Sequence, residues 1–575
     1  MQRISKYMFL LSFIALGLLF STQSCTKDIQ EIDLDKRPVQ RNLSSSLIRI
    51  VNLGEYNQIK ANEEKLTNFI YRDPEGPDAQ KFPGTLYFPS NGHLGKIWNV
   101  PKNLFSKAEK INVEASFIGR SGSNYSFTPI KFLMEQKGNN PVDYYLLPGR
   151  IEGPEFAEIP RSITQPSKPD HFKIRIINLM AKFSGTSTEA EDLTGPITLT
   201  YADGTPVSPL TSKISFTDRV SEYVEVPYGT YQFKVLNAND NRQIPGANAK
   251  NPDDRLIDFK TSSISLAFER PSHLHYAPIK TYQPGGVYTI VVFPSRYSYH
   301  NTAVEQLTIG RQHGFEVIED ITPALNSSYA NLQVVNTIAD LGTYKFQLDN
   351  EVLFENIGFT KSSPYKSIST GNKVFNLIDN NNKVLAKIES QILAGQNYSF
   401  WIHKDEKGEN RMKLVQNDLS NVLFNDHNIK EDGKNGYVEH DFLIRYRFFN
   451  FSEGNPDVSF TSNNGQFFRG ERAAFSNIQF AEIPNGYPYV QGNFNNPFHV
   501  LTFRSQKLVV PGKWAEDIPA LLGTDLLANP ELYKKAKRPL PYTEAGVFSI
   551  ALVGKNSSDK SKDSNNKLMV VKHIK

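Results

Sequence analysis

The segment Ile174–Leu179 reads IRIINL, and three other runs of the chain repeat its pattern. Each run alternates apolar and polar residues, which is typical of a strand with one buried face, and then reaches an asparagine. Asparagine suits the end of a strand, because its side chain bonds nearby backbone and tolerates a left-handed conformation. The other three runs are IRIVNL at Ile48–Leu53, LQVVNT at Leu332–Thr337 and YRFFNF at Tyr446–Phe451. The signature asparagines of the four runs are Asn52, Asn178, Asn336 and Asn450.

A second motif repeats in phase with the first. It consists of a glycine, an aromatic residue, a serine or threonine, and a run of β-branched or aromatic residues. The glycine supplies a tight turn, and the aromatic side chain enters the core as the next strand begins. Many short strands between turns, with a signature at domain-sized intervals, predict an all-β chain of antiparallel β-sandwich domains. The copies of this motif are GGVYTIVVF at Gly285–Phe293, GQNYSFWIH at Gly395–His403 and AGVFSIALV at Ala545–Val553.

The two motifs together predict four tandem β domains behind an N-terminal leader. The first domain lacks a clean copy of the second motif; its nearest candidates lie around Val113 and Tyr145. The predicted ranges are a signal peptide at 1–24, a flexible tether at 25–45, and β domains 1 to 4 at 46–165, 170–325, 328–438 and 440–575.

One segment of the last domain departs from the strand pattern. The run from Ala515 to Pro539 predicts a short helical insertion between strands. Asp517 and Pro519 suit a helix start, and Asn529-Pro530 predicts a break between two short helices. Such an insertion either packs over the edge of the sandwich or docks a partner.

The order of motifs in the second domain resembles a known bacterial family. IRIINL is followed by VPYGTYQFKV at Val226–Val235, then PGGVYTIVV, then VIED at Val317–Asp320. This order is similar to the lipoprotein repeat named domain of unknown function four-three-nine-seven, of Bacteroidota type. The resemblance implies tandem antiparallel sandwiches of immunoglobulin-like or transthyretin-like type. It implies no catalytic residues, because the family has no established function.

The N-terminus reads MQRISKYMFLLSFIALGLLFSTQSC and carries a secretion signal. Arg3 and Lys6 precede an apolar stretch, Tyr7–Phe20, that is too short to span a membrane but right for a signal peptide. The only cysteine of the chain, Cys25, follows after four polar residues and resembles the acylated cysteine of bacterial lipoproteins. The alternative is an ordinary signal peptide followed by an incidental thiol.

Acylation at Cys25 predicts a lipid partner and a location at a membrane. Each buried methylene of an acyl chain contributes about 0.8 kcal/mol, so two or three chains anchor a protein durably. Lys27-Asp28 and Glu31 loosely resemble the acidic signal that sends Bacteroidota lipoproteins to the cell surface. We therefore predict an outer-membrane, lipid-anchored protein that faces the cell surface, with a periplasmic orientation left open.

Composition excludes several classes of protein. The 575 residues include 64 Lys and Arg against 60 Asp and Glu, without a block of like charge, so a nucleic-acid partner is not expected. A single cysteine excludes intramolecular disulfides and Cys-based metal sites. No G-x-S-x-G elbow, H-E-x-x-H helix, P-loop or G-x-G-x-x-G fingerprint occurs, so neither an enzyme nor a cofactor is predicted.

Two histidines are weak candidates for a metal site. His273 and His275 alternate on one strand face, which places two imidazoles side by side. A third ligand would have to come from elsewhere, and the flanking Pro271 and Pro278 favour a solvated loop. The prediction is therefore that the chain binds no metal.

Aromatic residues in the last domain are candidates for ligand binding. The segment NGYPYVQGNFNNPFH threads them with Asn, Gly and Pro, which favours a surface loop. Flat rings beside amides suit sugars, since a sugar ring stacks while the amides bond its hydroxyls. In the alternative interpretation the rings fold back under their own turn. The candidate residues are Tyr487, Tyr489, Phe494 and Phe498.

The sequence thus predicts a non-enzymatic binding or scaffold lipoprotein of the cell envelope. Its expected partners are membrane lipid through the acylated N-terminus and either a glycan or an outer-membrane protein. Two alternatives stay open. One is a glycan-active hydrolase with its site in the last domain, and the other is a structural subunit of a surface assembly.

Overall fold

A computed structural model describes most of the chain. Its contacts divide the chain into two compact units, 1–139 and 140–575. Cys25, His273, His275, Tyr487, Phe494 and Phe498 lie outside the described residues. Among the helices that are described, none has the length and apolar character needed to cross a membrane. The described residues are 37, 43–54, 56–70, 83–118, 129–149, 151–183, 193–244, 246, 256–258, 263–265, 279–301, 306–419, 444–468, 470, 472–483, 489–491, 499–506, 509–537, 540, 544, 546–556 and 562–575.

The first unit is built from short antiparallel strands. Strand β5 alternates buried and outward residues, with Ile111, Val113 and Ala115 buried, as a half-buried strand should. One sheet has the order β3-β2-β5-β6, and β1 pairs antiparallel with β4. The strands are β1 Ser45–Asn52, β2 Gln58–Ala61, β3 Glu64–Lys65, β4 Ile97–Pro101, β5 Lys110–Ser116 and β6 Ile130–Glu135.

The second unit begins with strands that precede or belong to predicted domain 2. The strands are β7 Val142–Leu146, β8 Ile151–Glu152, β9 Phe156–Pro160, β10 His171–Asn178, β11 Lys182–Phe183, β12 Ile197–Thr200, β13 Val224–Pro227, β14 Gly229–Tyr231, β15 Lys234–Asn237, β16 Gln243–Ile244, β17 Leu256–Asp258, β18 Ser263–Ser265, β19 Lys280–Tyr282, β20 Val287–Asn301 and β21 Gln306–Ile321.

The signature strand of domain 2 lies at the centre of a four-stranded sheet, β13-β10-β20-β21. Strand β10 runs antiparallel to β13 and parallel to β20, with Ile176 opposite Ile290. The inward residues of β10 pack on an aromatic cluster that includes Phe233 and Tyr282, and the Phe172 and Tyr282 ring centroids are 4.9 Å apart. Strands β12, β15 and β16 form a second sheet, and their apolar residues contribute to the same core.

Predicted domain 3 repeats this arrangement. Its signature strand β22 runs parallel to β29, with Val334 opposite Phe400, and a second sheet has the order β24-β23-β27-β28. Rings from both sheets meet in the core, where Phe375 and Phe400 are 4.5 Å apart. The strands are β22 Tyr329–Asn336, β23 Tyr344–Leu348, β24 Glu351–Glu355, β25 Lys361–Ser362, β26 Lys366–Ser369, β27 Gly371–Asp379, β28 Val384–Ile392, β29 Asn397–Lys404 and β30 Asn410–Gln416.

Predicted domain 4 has the same pair of sheets. Strand β31 runs parallel to β38, with Phe448 opposite Ile550, and the facing sheet has the order β33-β32-β35-β36. Phe448 and Phe460 stack across the core at 4.6 Å. The strands are β31 Ile444–Glu453, β32 Asp457–Thr461, β33 Ile478–Gln479, β34 Val490–Gln491, β35 His499–Gln506, β36 Val509–Trp514, β37 Leu521–Leu522, β38 Gly546–Lys555 and β39 Lys567–Lys572.

The helical insertion of the last domain is present but shorter than predicted. Helix α1 spans Pro530–Lys535 and is capped by Asn529, whose side chain accepts the Glu531 N–H at 3.0 Å. A single 3-10 turn at Gly523–Leu526 replaces the first predicted helix. The expected helix start fails because Asp517 accepts two hydrogen bonds from Arg504 on β35, both 2.6 Å long.

The signature asparagines tie their strands to nearby backbone; three of them are the last residue of the strand, whereas β31 continues past Asn450 to Glu453. The Asn178 amide donates to the carbonyls of Gly195 and Ile214, at 2.9 and 3.0 Å. The Asn336 amide donates to Ile357, and that of Asn450 to Asn455. In the first unit the Asn52 side chain bonds both backbone groups of Tyr56. None of the four asparagines has a positive φ, so their role is side-chain bonding.

The described residues confirm the prediction of an all-β chain with sandwich architecture. The pattern did not predict that, in each of domains 2, 3 and 4, the sheet with the signature strand contains a parallel pair. Parallel neighbours need a long crossover connection, and the facing sheet supplies it here. The bounds of the four domains stay a prediction.

Candidate functional site

The two sheets that contain the signature strands β22 of domain 3 and β31 of domain 4 pack back to back. Their outward residues form a buried apolar layer that is separate from the core of either domain. Trp401 of β29 is fully buried there, and its ring stacks on Phe451 of β31 at 5.3 Å and meets Phe449 at 5.1 Å. Because close-packed aromatic layers resist sliding, this layer holds the two domains in one orientation.

A buried arginine occupies one end of this interface. Arg447, three residues before the signature asparagine of β31, is 2% exposed. Its Nε donates to Ser549 Oγ at 3.0 Å and its Nη1 to the Gln416 carbonyl at 2.8 Å, while Nη2 bonds Asn417 Oδ1. Burial lowers the pKa of the Arg447 guanidinium. These hydrogen bonds, two of them to domain 3, offset the cost of taking the cation out of water.

A histidine directly after β39 joins the same network. His573 Nδ1 lies 2.9 Å from Gln333 Nε2 and 3.1 Å from the Tyr365 hydroxyl, and Nε2 lies 2.7 Å from Ser549 Oγ. Since Gln333 Nε2 can only donate, we assign Nδ1 as the acceptor and Nε2 as the protonated nitrogen. Burial, followed by the charge of Arg447, lowers the pKa of His573 well below its ordinary value. The ring is therefore neutral near pH 7.

A second buried polar cluster links domain 2 to domain 4. Lys234 of β15 forms an ion pair with Glu544, and the two side chains are 1% and 0% exposed. The Glu544 carboxylate also accepts the Tyr533 hydroxyl at 3.0 Å and the Ala528 N–H at 2.6 Å. Burial alone would raise the pKa of Glu544, but the charges of Lys234 and Lys572 and these hydrogen bonds hold it below its ordinary value.

A cavity of about 490 Å³ opens where domains 2, 3 and 4 meet. It lies beside both buried clusters, because Tyr365 and His573 line it from the first and Lys572 from the second. Its walls also contain tyrosine rings, amides and serine hydroxyls. The lining residues include Tyr201, Asp203, Tyr231, Asn331, Gln333, Tyr365, Asn397, Asp525, Lys572, His573 and Lys575.

The walls suit a small polar ligand. The rings of Tyr201 and Tyr231 lie 5.9 Å apart, and Lys575 Nζ sits 4.0 Å from the Tyr201 ring centroid. Asn331 Nδ2 donates to Asn397 Oδ1 at 3.1 Å, which leaves further amide donors and acceptors for a guest. Rings for stacking and amides for hydrogen bonding are what polar ring ligands require.

Of the four aromatic residues predicted to bind a ligand, only Tyr489 lies among the described residues. Its side chain is 4% exposed and lies under two guanidinium groups, with Arg445 at 4.7 Å and Arg447 at 4.8 Å from the ring centroid. Its hydroxyl accepts the Asp418 N–H at 3.1 Å. The ring faces two arginines of β31 rather than open solvent. Ligand binding by this segment stays a prediction.

Sequence reasoning missed the buried polar clusters and the residues that line the cavity. Lys234, Glu544 and Lys572 stand in no recognisable motif. One signal was available, because the third residue before each signature asparagine is long and polar, including Gln333 and Arg447. Within the part of the chain that the structure describes, no group of three or more His, Cys, Asp and Glu side chains could hold a metal.

Comparison with known proteins identifies no relative. No family model matches the chain, and neither does any curated protein. Among solved structures, the Bacillus anthracis TIE protein is 10% identical, with 88% of this chain and 69% of that one covered and a TM-score of 0.11. A product complex of the multi-modular glycogen-degrading pneumococcal virulence factor SpuA is 9% identical, with 60% and 37% covered and a TM-score of 0.11. Likenesses this weak say nothing of function.

Proposed function

We propose that this chain is a lipid-anchored envelope protein whose β domains form a rigid, non-enzymatic binding scaffold. The cavity of about 490 Å³ between domains 2, 3 and 4 carries the binding part of this proposal. Its volume falls within the range of about 300 to 1,000 Å³ that is typical of small-ligand sites. Tyrosine rings, amides and hydroxyls line it, so a polar ligand is the best match.

Support for rigidity comes from the contacts that join the domains. Trp401 and Phe451 pack domain 3 against domain 4, and Lys234 and Glu544 join domain 2 to domain 4. A site whose walls are already held in place loses little conformational entropy when it binds. Such preorganisation favours ligand binding.

Support for the anchor comes from the N-terminal sequence. A basic start, a short apolar stretch and the lone Cys25 are the features of a lipoprotein leader. The surface-directed orientation rests on Lys27-Asp28 and Glu31.

Anchoring is tested by metabolic labelling of the full chain with an alkyne-bearing fatty acid, beside a Cys25→Ser variant. We expect label and membrane partition in the first and neither in the second. Equal membrane partition of the two chains would contradict the anchor. Protease treatment of intact cells then separates a surface-facing protein from a periplasmic one.

Binding is tested with the detergent-solubilised full chain on a glycan array, beside Tyr201→Ala in the cavity wall and Phe216→Ala as a control. Phe216 is 47% exposed and does not line the cavity. We expect Tyr201→Ala to weaken binding and Phe216→Ala to leave it unchanged. Hydrolysis of a bound glycan would contradict the non-enzymatic proposal, and equal binding by both variants would place the site elsewhere.

A further inference from the structure

Beside the cavity, two buried ammonium groups face one buried carboxylate. Lys234 and Lys572 share one carboxylate, Glu544. Lys234 takes the close position, while Lys572 Nζ stands 3.9 Å from Glu544 Oε2 and 3.4 Å from Gln232 Oε1. Lys572 is thus bonded only at long range, although its side chain is just 18% exposed.

The charge on Lys572 is costly in this position. Burial, with a smaller effect from the charge of Lys234, outweighs the charges of Glu544 and Asp203 and lowers the pKa of Lys572 to about 8. The ammonium is still mostly protonated at pH 7, so an excess positive charge persists beside the cavity. Burial deprives the ammonium of part of its hydration. The Coulomb attraction of an anion placed there would compensate for that loss, because attraction between charges is strong where water is excluded.

The other residues of the cavity wall indicate which kind of molecule would bear the anionic group. Tyr201 and Tyr231 supply ring surfaces, and Lys575 adds a second ammonium over Tyr201. The lining carboxylates Asp203 and Asp525 are exposed, and each accepts a hydrogen bond from the backbone of its own turn. Water screens them more than it screens Lys572, so they repel a guest only weakly.

We propose that the cavity binds an acidic sugar unit, with its carboxylate beside Lys572 and its ring against Tyr201 and Tyr231. The inference deepens the proposed function and rests on it. The carboxylate forms a charge-assisted hydrogen bond with the ammonium, and a hydroxyl of the sugar replaces a hydrogen bond to water with one to the amide of Asn331. A neutral sugar of the same size lacks the first of these interactions.

Calorimetric titration of the full chain with three probes tests this inference without any variant. Glucuronate carries ring and charge, glucose carries the ring alone, and acetate carries the charge alone. We expect glucuronate to bind about tenfold more tightly than either of the others, the value typical of one hydrogen bond to a charged group. Equal affinity for glucose would overturn the role of Lys572, and equal affinity for acetate would overturn the role of the rings.

A matched pair of variants then locates the charge. Lys572→Met should abolish the preference for glucuronate over glucose, while Lys534→Met on helix α1 should keep it, since Lys534 is exposed and does not line the cavity. Titration at pH 8 in buffers of different ionisation enthalpy should show uptake of up to about half a proton by the unaltered chain, because the ligand raises the pKa of Lys572. Lys572→Met should show no uptake.

The two proposals fail in different ways. If no probe binds but the glycan array or an envelope partner does, the acidic-sugar inference is wrong and the binding scaffold stands. A preference for glucuronate that survives Lys572→Met would place the anion elsewhere and overturn the inference as well.

Discussion

Lys234 and Glu544 lie 310 positions apart in the sequence and form an ion pair that is almost wholly buried. The lysine comes from the second sheet of domain 2, and the carboxylate lies just before β38 of domain 4. Neither residue could be buried without the other, because an isolated charge in a protein interior is very costly. The pair therefore couples the burial of each residue to the docking of two domains.

Glu544→Ala should destabilise the second unit strongly. The substitution leaves Lys234 buried without its partner, and broken buried pairs typically cost about 3 to 5 kcal/mol. The free energy of unfolding, measured by urea denaturation, should fall accordingly. The exposed pair of Glu531 and Lys534 supplies the control, since Glu531→Ala should change the free energy of unfolding by less than about 0.5 kcal/mol. A loss below about 1 kcal/mol for Glu544→Ala would show that the pair does not couple the domains.

Lys572 should make stability rise in alkaline solution. Burial lowers the pKa of Lys572 to about 8 in the folded chain, against an ordinary value of 10.5. Between these values the unfolded chain binds more protons, so the free energy of unfolding increases with pH. Measured relative to Lys572→Met, the unaltered chain should gain up to about 3 kcal/mol between pH 8 and pH 10.5. A flat difference across this window would contradict the buried position of Lys572.

His573 should make stability fall in mild acid. Its pKa is lowered well below 6.5 in the folded chain, so the unfolded chain takes up the proton first as the pH drops. The unfolding free energy should decline as the pH falls below about 6.5, the ordinary value for histidine. His573→Gln should flatten this decline. The exposed His499 serves as the control, and His499→Gln should leave the slope unchanged.

Arg447→Lys should be far from conservative. The guanidinium bonds Ser549, Gln416 and Asn417 at once, a geometry that an ammonium cannot reproduce. We expect a loss of about 2 to 3 kcal/mol in unfolding free energy, from acceptors left unsatisfied in the interface. Arg411→Lys on the exposed face of β30 should cost less than about 0.5 kcal/mol. Equal effects of the two substitutions would show that the interface tolerates the lost bonds.

Local patterns predicted local structure well in this chain. Alternation identified β10, β22 and β31. The signature asparagine ends β10 and β22, whereas β31 continues past Asn450 to Glu453. Asn529-Pro530 marked the start of helix α1, since capping involves only near neighbours. The predicted helix start at Asp517 was wrong because a more distant residue, Arg504, takes up its carboxylate.

The amino-acid sequence by itself determined the all-β class and the strands that repeat, because alternation and turn chemistry act over a few residues. Only the tertiary structure decided that β10 lies parallel to β20, that Trp401 packs on Phe451, and that Lys572 lines a cavity between three domains. The physical reason is that these features depend on which distant surfaces meet. The sequence around a lysine does not indicate whether its ammonium group will lie in water or beside a buried carboxylate.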